Sequence, residues 1–219
     1  MESQSLYKSD YIKRLGEFQS LSPDAYRALM AFDQQALAPG ALSAKQKELI
    51  AVAIAHITGC PYCIDIHVNK MKEKGGNKRE MVEAIMVATA LKAGSALAHG
   101  VNALYSYDRN YDDGELYQQE YFARLKELSE VNHGLFMAFI DFDKKTMKAG
   151  ALTVLEKELI AVAAAHTTGC PYCIDLHTRA AKGAGASKEH IAEVIFIAAA
   201  LKAGSAFAHG VNAFNTFDD

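Results

Sequence analysis

The chain has 219 residues, half of them apolar, a formal charge of −3 and no run of basic residues. Such a chain suits one large globular domain or two of about 110 residues, each able to bury a core, and a disordered chain is excluded. The charge balance argues against nucleic acid as a partner.

The first residues, MESQSLYKSD, hold no apolar run of the secretory type. This sets the expectation of a cytoplasmic protein, in which paired cysteines are catalytic or metal-binding rather than structural. Ser22-Pro23 places proline at a first helical position behind an N-cap residue and predicts a helix start. Ser43-x-x-Gln46 is a capping-box pattern before an apolar run. Gly59 ends that helix and Pro61 opens the next, so Cys60 takes the N-cap and Cys63 the third helical position. Gly75-Gly76 supplies a left-handed helix end, and Asn77 caps a long final helix rich in Ala, Ile and Leu. The polar stretch SYDRNYDDGEL then places a boundary between residues 111 and 112.

Beyond that boundary the chain repeats itself. Shifted by 110 residues, Gly40–Asp108 falls on Gly150–Asp218 with well over half the positions identical. Tyr7, Tyr11 and Leu15 fall on Tyr117, Tyr121 and Leu125, and Phe32-Asp33 on Phe142-Asp143. The helix signals return as Thr153-x-x-Glu156, Cys170-Pro171, Gly183/Gly185 and Ser187. No alternating run bounded by turn residues marks a strand. The expected fold is all-α: two homologous helical-bundle repeats, 1–111 and 112–219, related by a pseudo-two-fold axis. Gly94, Ala98 and Asn102 recur as Gly204, Ala208 and Asn212, a spacing that lets helix backbones approach, either as internal core packing or at a subunit or repeat–repeat interface. His99 and His209, set among small residues, read as hydrogen-bonded core histidines. The apolar stretch VIFIAAALKAGSAFAHGVNAF is interrupted by Lys202 and His209 and reads as a buried helix rather than a membrane span.

The chemistry concentrates in TGCPYCIDIH, residues 58–67, and its copy TGCPYCIDLH, residues 168–177. Two sulfurs at a helix N-terminus meet unpaired N–H groups and the positive end of the macrodipole, which lowers a thiol pKa and supplies a thiolate. His67 lies one turn beyond Cys63 on the same face and can exchange a proton with the sulfur; Cys170, Cys173 and His177 repeat the arrangement. A zinc site would find three ligands per repeat where a structural site wants four. A structural disulfide and inert buried thiols are further alternatives. Cys-Pro-Tyr-Cys alone is also a glutaredoxin signature, but there the pair follows a strand, and no strand precedes it here. His56 and His166, one turn before the first cysteine, read as packing or hydrogen-bonding residues.

The stretch EKELIAVAAAHTTGCPYCIDLHTRAAKGAGASKEHIAEVIFIAAALKAG resembles the AhpD-like alkylhydroperoxidase branch of the carboxymuconolactone decarboxylase superfamily. That branch is marked by a Glu, a Cys-x-x-Cys twelve residues later, and a His after three more. Glu48, Cys60, Cys63 and His67 fit this spacing, as do Glu158, Cys170, Cys173 and His177. The resemblance implies an enzyme whose dithiol reduces hydroperoxides. The second cysteine, Cys63 or Cys173, would attack the peroxide, and the first, Cys60 or Cys170, would resolve the sulfenic acid into a disulfide. Glu48 with His67, and Glu158 with His177, would form the proton relay. It further implies a hydroperoxide substrate and, with the duplication, assembly as a homotrimer. No flavin, nicotinamide or phosphate-binding glycine motif appears, so no bound cofactor or metal and an external dithiol reductant are expected, and the composition sets the expectation of no nucleic-acid or membrane partner. One departure stands between the cysteines, where some members carry His and this chain has Tyr62 or Tyr172. It leaves room for a general thiol–disulfide oxidoreductase or a redox sensor. The lactone chemistry of the decarboxylase branch would leave two cysteine pairs without a use.

Overall fold

Capping chemistry sets the helix starts. The Ser43 hydroxyl accepts from the Gln46 N–H while the Gln46 side chain accepts from the Ser43 N–H, and Thr153 and Glu156 repeat the exchange. Four orphan donors at two helix ends are thereby satisfied. The computed structural model describes residues 7–108 and 115–218, so the boundary expected between 111 and 112 lies outside the described residues.

The described residues form ten α-helices in order: α1 (Gly16–Leu21), α2 (Pro23–Leu37), α3 (Ala44–Thr58), α4 (Pro61–Glu73), α5 (Lys78–Asp108), α6 (Leu125–Val131), α7 (His133–Met147), α8 (Val154–Thr168), α9 (Pro171–Gly183) and α10 (Lys188–Asp218). Two 3-10 turns, Ser9–Leu15 and Gln119–Arg124, precede α1 and α6, and no strand occurs among the described residues. Asn77 accepts from the N–H groups of Arg79 and Glu80 at the start of α5, and Ser187 accepts from His190 N–H at the start of α10. Ser22 does occupy the N-cap of α2 with Pro23 behind it, but its side chain makes no capping bond. Of the expected pair Gly183/Gly185, Gly183 is the last residue of α9 and only Gly185 adopts the left-handed conformation, at φ 102°.

The core forms where α3 and α8 meet. Leu42, Leu49 and Ile50 face Leu152, Leu159 and Ile160 there, and the Ala/Val/Ile runs of both helices are fully buried. The long helices α5 and α10 each pack on both α3 and α8. Each helix has 31 residues and an apolar window long enough to cross a bilayer, yet Val87, Leu91 and Val101 of α5 and Val194, Leu201 and Val211 of α10 are buried in the core.

Each repeat sends its N-terminal arm across to the other repeat's long helix. The first 3-10 turn and α2 pack on α10, while the second 3-10 turn, α6 and α7 pack on α5. Phe18 sits between Phe207 and Phe214 with ring centroids 4.8 and 4.6 Å away. A Cβ at Gly210 would come within 2.5 Å of the Phe18 ring, so this crossing needs glycine. Arg14 bonds Asn215 at 2.7 Å and also pairs with Asp218. Two reciprocal clamps join the repeats. Glu193 of α10 accepts from the backbone of Ala41 and Leu42 and from Lys47, and Glu83 of α5 accepts from Ala151, Leu152 and Lys157.

Candidate functional site

At residue 59 the backbone turns left-handed, φ 70°, and at Gly169 it does so again, φ 73°. The turn ends α3 and α8 and brings Cys60 and Cys170 to the N-caps of α4 and α9, ahead of Pro61 and Pro171. Each N-cap sulfur takes the role that a Ser or Asp oxygen usually fills. Cys60 Sγ accepts from Cys63 N–H at 3.2 Å, and Cys170 Sγ from Cys173 N–H at 3.2 Å.

Both sulfur pairs are placed to form a disulfide, and the Cα atoms of Cys60 and Cys63 lie 5.3 Å apart. The N-cap backbone is nearly the same in both, φ/ψ −87°/106° and −91°/105°.

Beside each pair lies a buried carboxylate–imidazole bond linking adjacent helices. His67 Nδ1 is 2.7 Å from Glu48 Oε2, and His177 Nδ1 is 2.8 Å from Glu158 Oε2. With water excluded such a bond is strong. Nδ1–H donates to the carboxylate, which leaves Nε2 as the free ring position and fixes the tautomer that can take a proton.

In the second pair the two thiols are shifted in opposite directions. A hydrogen bond from the Cys173 thiol lowers the Cys170 pKa to about 6, and burial opposes it. The Cys173 N–H, the charge of His99 and the Ser95 hydroxyl add to the lowering. Cys173 is pushed upward for the converse reasons: it gives its hydrogen to Cys170, it is buried, and it feels the Cys170 and Asp143 charges. Together these shifts favour the negative charge on Cys170 and the proton on Cys173. Asp143 on α7 is itself raised by burial, against the pull of His177 and with a push from Glu158.

Cys173 and His177 line one cavity of about 380 Å³ enclosed by α5, α6, α7 and α9. Its walls are apolar, with Leu91, Leu97, Phe136, Phe139 and Ile140 prominent, and Asp143 and Lys126 add polar groups. Cys170 is fully buried, so Cys173, 6% exposed, is the sulfur that an entering molecule meets. Among the described residues no cluster of three or more His, Cys, Asp or Glu side chains is arranged to hold a metal ion.

All eight residues expected from the sequence thus gather in two equivalent places. Glu48 with His67 and Cys60 with Cys63 form one, and Glu158 with His177 and Cys170 with Cys173 form the other. His56 and His166 hydrogen-bond the carbonyls of Val52 and Val162 at 2.8 Å, the hydrogen-bonding role read for them. Sequence reasoning did not place Asp143, Ser95, His99 or Tyr117 at the site. The available signal was their recurrence: each falls on a like residue 110 positions away, Asp33, Ser205, His209 and Tyr7.

The model of the carboxymuconolactone decarboxylase family matches twice, over residues 23–105 and 134–216. The chain belongs to the carboxymuconolactone decarboxylase family. The two matches account for its tandem repeat. "Uncharacterized protein 4 in cox locus" from Paracoccus denitrificans is 41% identical over 94 residues, 43% of this chain and 85% of that protein. "Uncharacterized protein H16_B0147" from Cupriavidus necator is 33% identical over 94 residues, 43% of this chain and 80% of that protein. A crystal structure from Burkholderia xenovorans LB400, of a candidate gamma-carboxymuconolactone decarboxylase subunit, superposes with a TM-score of 0.63. It covers 97% of this chain and 98% of its own at 17% identity, a likeness of fold.

Proposed function

We propose that this member of the family is an AhpD-like thiol-dependent peroxidase with two dithiol sites per chain. The observation that carries the reading is a Cys-x-x-Cys at a helix start whose outer sulfur shares an apolar cavity with a histidine held by a buried glutamate. Apolar walls favour an organic hydroperoxide over a charged substrate.

The chemistry runs as follows in the second repeat. His177 Nε2 takes the Cys173 proton, and the Cys173 thiolate attacks the terminal peroxide oxygen. The O–O bond breaks, the sulfur becomes a sulfenic acid, and the alkoxide leaves with the proton from His177. Cys170, already the thiolate, attacks the Cys173 sulfur, and hydroxide departs to become water with a solvent proton. The disulfide so formed has lost the two electrons the peroxide gained. An external dithiol returns them, so no resident cofactor is required. A reducing cytoplasm would supply such a reductant.

A general thiol–disulfide oxidoreductase would use the same sulfurs; the apolar cavity of about 380 Å³ that Cys173 shares with His177 is what favours a small organic hydroperoxide. The test is hydroperoxide reduction by Cys63→Ser, Cys173→Ser and the double variant, with a dithiol as donor. Each single variant is expected to keep about half the activity, as separate sites add, and the double variant none. Full activity in the double variant rejects the mechanism.

A further inference from the structure

Helix α5 leaves the first repeat and lies over α9 of the second. Ser95 and His99 sit one turn apart on it. Ser95 is buried, and its hydroxyl and the His99 charge both act on Cys170. His99 is fixed on two sides. Its Nδ1 donates to the Ser95 carbonyl at 2.9 Å, and its ring meets Tyr117 edge-on at 6.1 Å. Tyr117 in turn packs on Tyr172, the neighbour of Cys173, at 5.8 Å.

The same construction recurs at the first dithiol with the repeats exchanged. His209 Nδ1 donates to the Ser205 carbonyl at 2.8 Å, and Tyr7 meets the His209 ring edge-on at 6.2 Å and packs on Tyr62 at 5.8 Å. Ala208 of α10 packs in one cluster with Cys60, Tyr62 and Cys63. A histidine that merely filled space would not need an aromatic clamp shared with the cysteine helix, and that clamp is present twice.

We propose that His99 and Ser95 are positioning residues for the N-cap sulfur Cys170, that His209 and Ser205 serve Cys60 in the same way, and that each dithiol is thereby completed by the long helix of the opposite repeat. The inference rests on the dithiol reading above and assigns the two histidines of a site different sulfurs. His177 serves the outer sulfur that meets substrate. His99 serves the inner sulfur, which must be a thiolate to resolve the sulfenic acid and, on reduction of the disulfide, to leave. The titratable groups around the pair are Tyr172, Cys173 and His177 from α9, Glu158 from α8, Asp143 from α7 and Lys126 from α6. Of the histidines, His99 is the one whose charge bears on Cys170, while the Asp143 charge bears on Cys173. A fully buried thiolate is costly unless polar groups face it, and α5 brings the Ser95 hydroxyl and the His99 ring to it.

The test uses the full chain carrying Cys60→Ser and Cys63→Ser, so that only Cys170 and Cys173 titrate; serine keeps the N-cap function at residue 60. Ultraviolet thiolate absorbance of the reduced protein is followed against pH, with a thermal melt to confirm folding. His99→Gln is expected to move the first thiol titration upward by about one pH unit. Ser95→Ala should move it in the same direction by less, and His209→Gln should leave it where it was. Ser95→Ala removes a single oxygen, so it carries the test even where His99→Gln does not fold. An unchanged titration in folded variants overturns the inference, as does an equal shift from His209→Gln. No peroxide is present in this measurement, so a protein without peroxidase turnover that still shows the shift would sink the proposed activity and leave the cross-repeat assignment standing.

Discussion

A carboxylate that grips one ring nitrogen decides what the other can do. Glu158→Gln keeps an oxygen near His177 Nδ1 but removes the charge that, in the proposed mechanism, would stabilise the imidazolium formed on deprotonating Cys173. In a Cys63→Ser background, kcat/KM for a hydroperoxide should fall about 100-fold, the range of a lost acid–base contribution, with the melting temperature little changed. Much of this site was legible because Cys60, Cys63 and His67 lie within two turns of one helix, where spacing fixes the face. The Glu48–His67 bond was not legible from spacing, since it joins two helices 19 residues apart, and only the family resemblance supplied it. His99 was legible as a hydrogen-bonded histidine, and its bond to the Ser95 carbonyl agrees. Which cysteine it faces depends on how two repeats pack, and no local pattern carries that.

Glycine-to-alanine changes separate the helix ends from the helix interiors. Gly169 holds φ 73° with open space around an added Cβ, so the cost of Gly169→Ala is backbone alone. It should destabilise by about 1 kcal/mol. Gly204 lies inside α10 with equally open space and an ordinary helical φ. Gly204→Ala should stabilise by about 1 kcal/mol, since alanine orders more cheaply in a helix. Midpoints of chemical denaturation with unchanged slopes would check both, and a shared sign would contradict the account. The small-residue spacing on the long helices marks a close approach between repeats at Gly94, where a Cβ would meet Phe139 of α7 at 3.3 Å, but not at Gly204, which faces open space. The tight contact on α10 falls instead at Gly210, against Phe18 of the first arm, a position that spacing did not include. An aromatic from a distant arm leaves no periodic trace.

At the scale of the molecule, the Glu83 and Glu193 clamps tie the repeats together. Burial would raise both carboxyl pKa values, but backbone N–H groups and Lys157 or Lys47 outweigh it and hold them below the usual 4.5. A carboxyl lowered in the folded state adds stability above its unfolded pKa, and that stability is lost as pH falls through the folded value. Glu83→Gln should therefore cost about 2 kcal/mol at neutral pH, the scale of hydrogen bonds to a charged group. The gap between variant and parent melting temperatures should close as pH drops below about 4. A gap independent of pH would show that charge is not what holds the clamp. Duplication was plain in the sequence because it shows which residues are equivalent. It is silent on which copy touches which, and so the crossing of the arms emerged only in three dimensions. That crossing has a consequence for the order of assembly. A chain is made from its N-terminus, and the helices around the second dithiol cavity are all complete by Gly183. The first dithiol is covered by α10, and Arg14 and Phe18 find Asn215, Asp218 and Phe214 only among the last residues synthesised. The cysteines translated first are thus enclosed last, when the ribosome releases the helix that covers them.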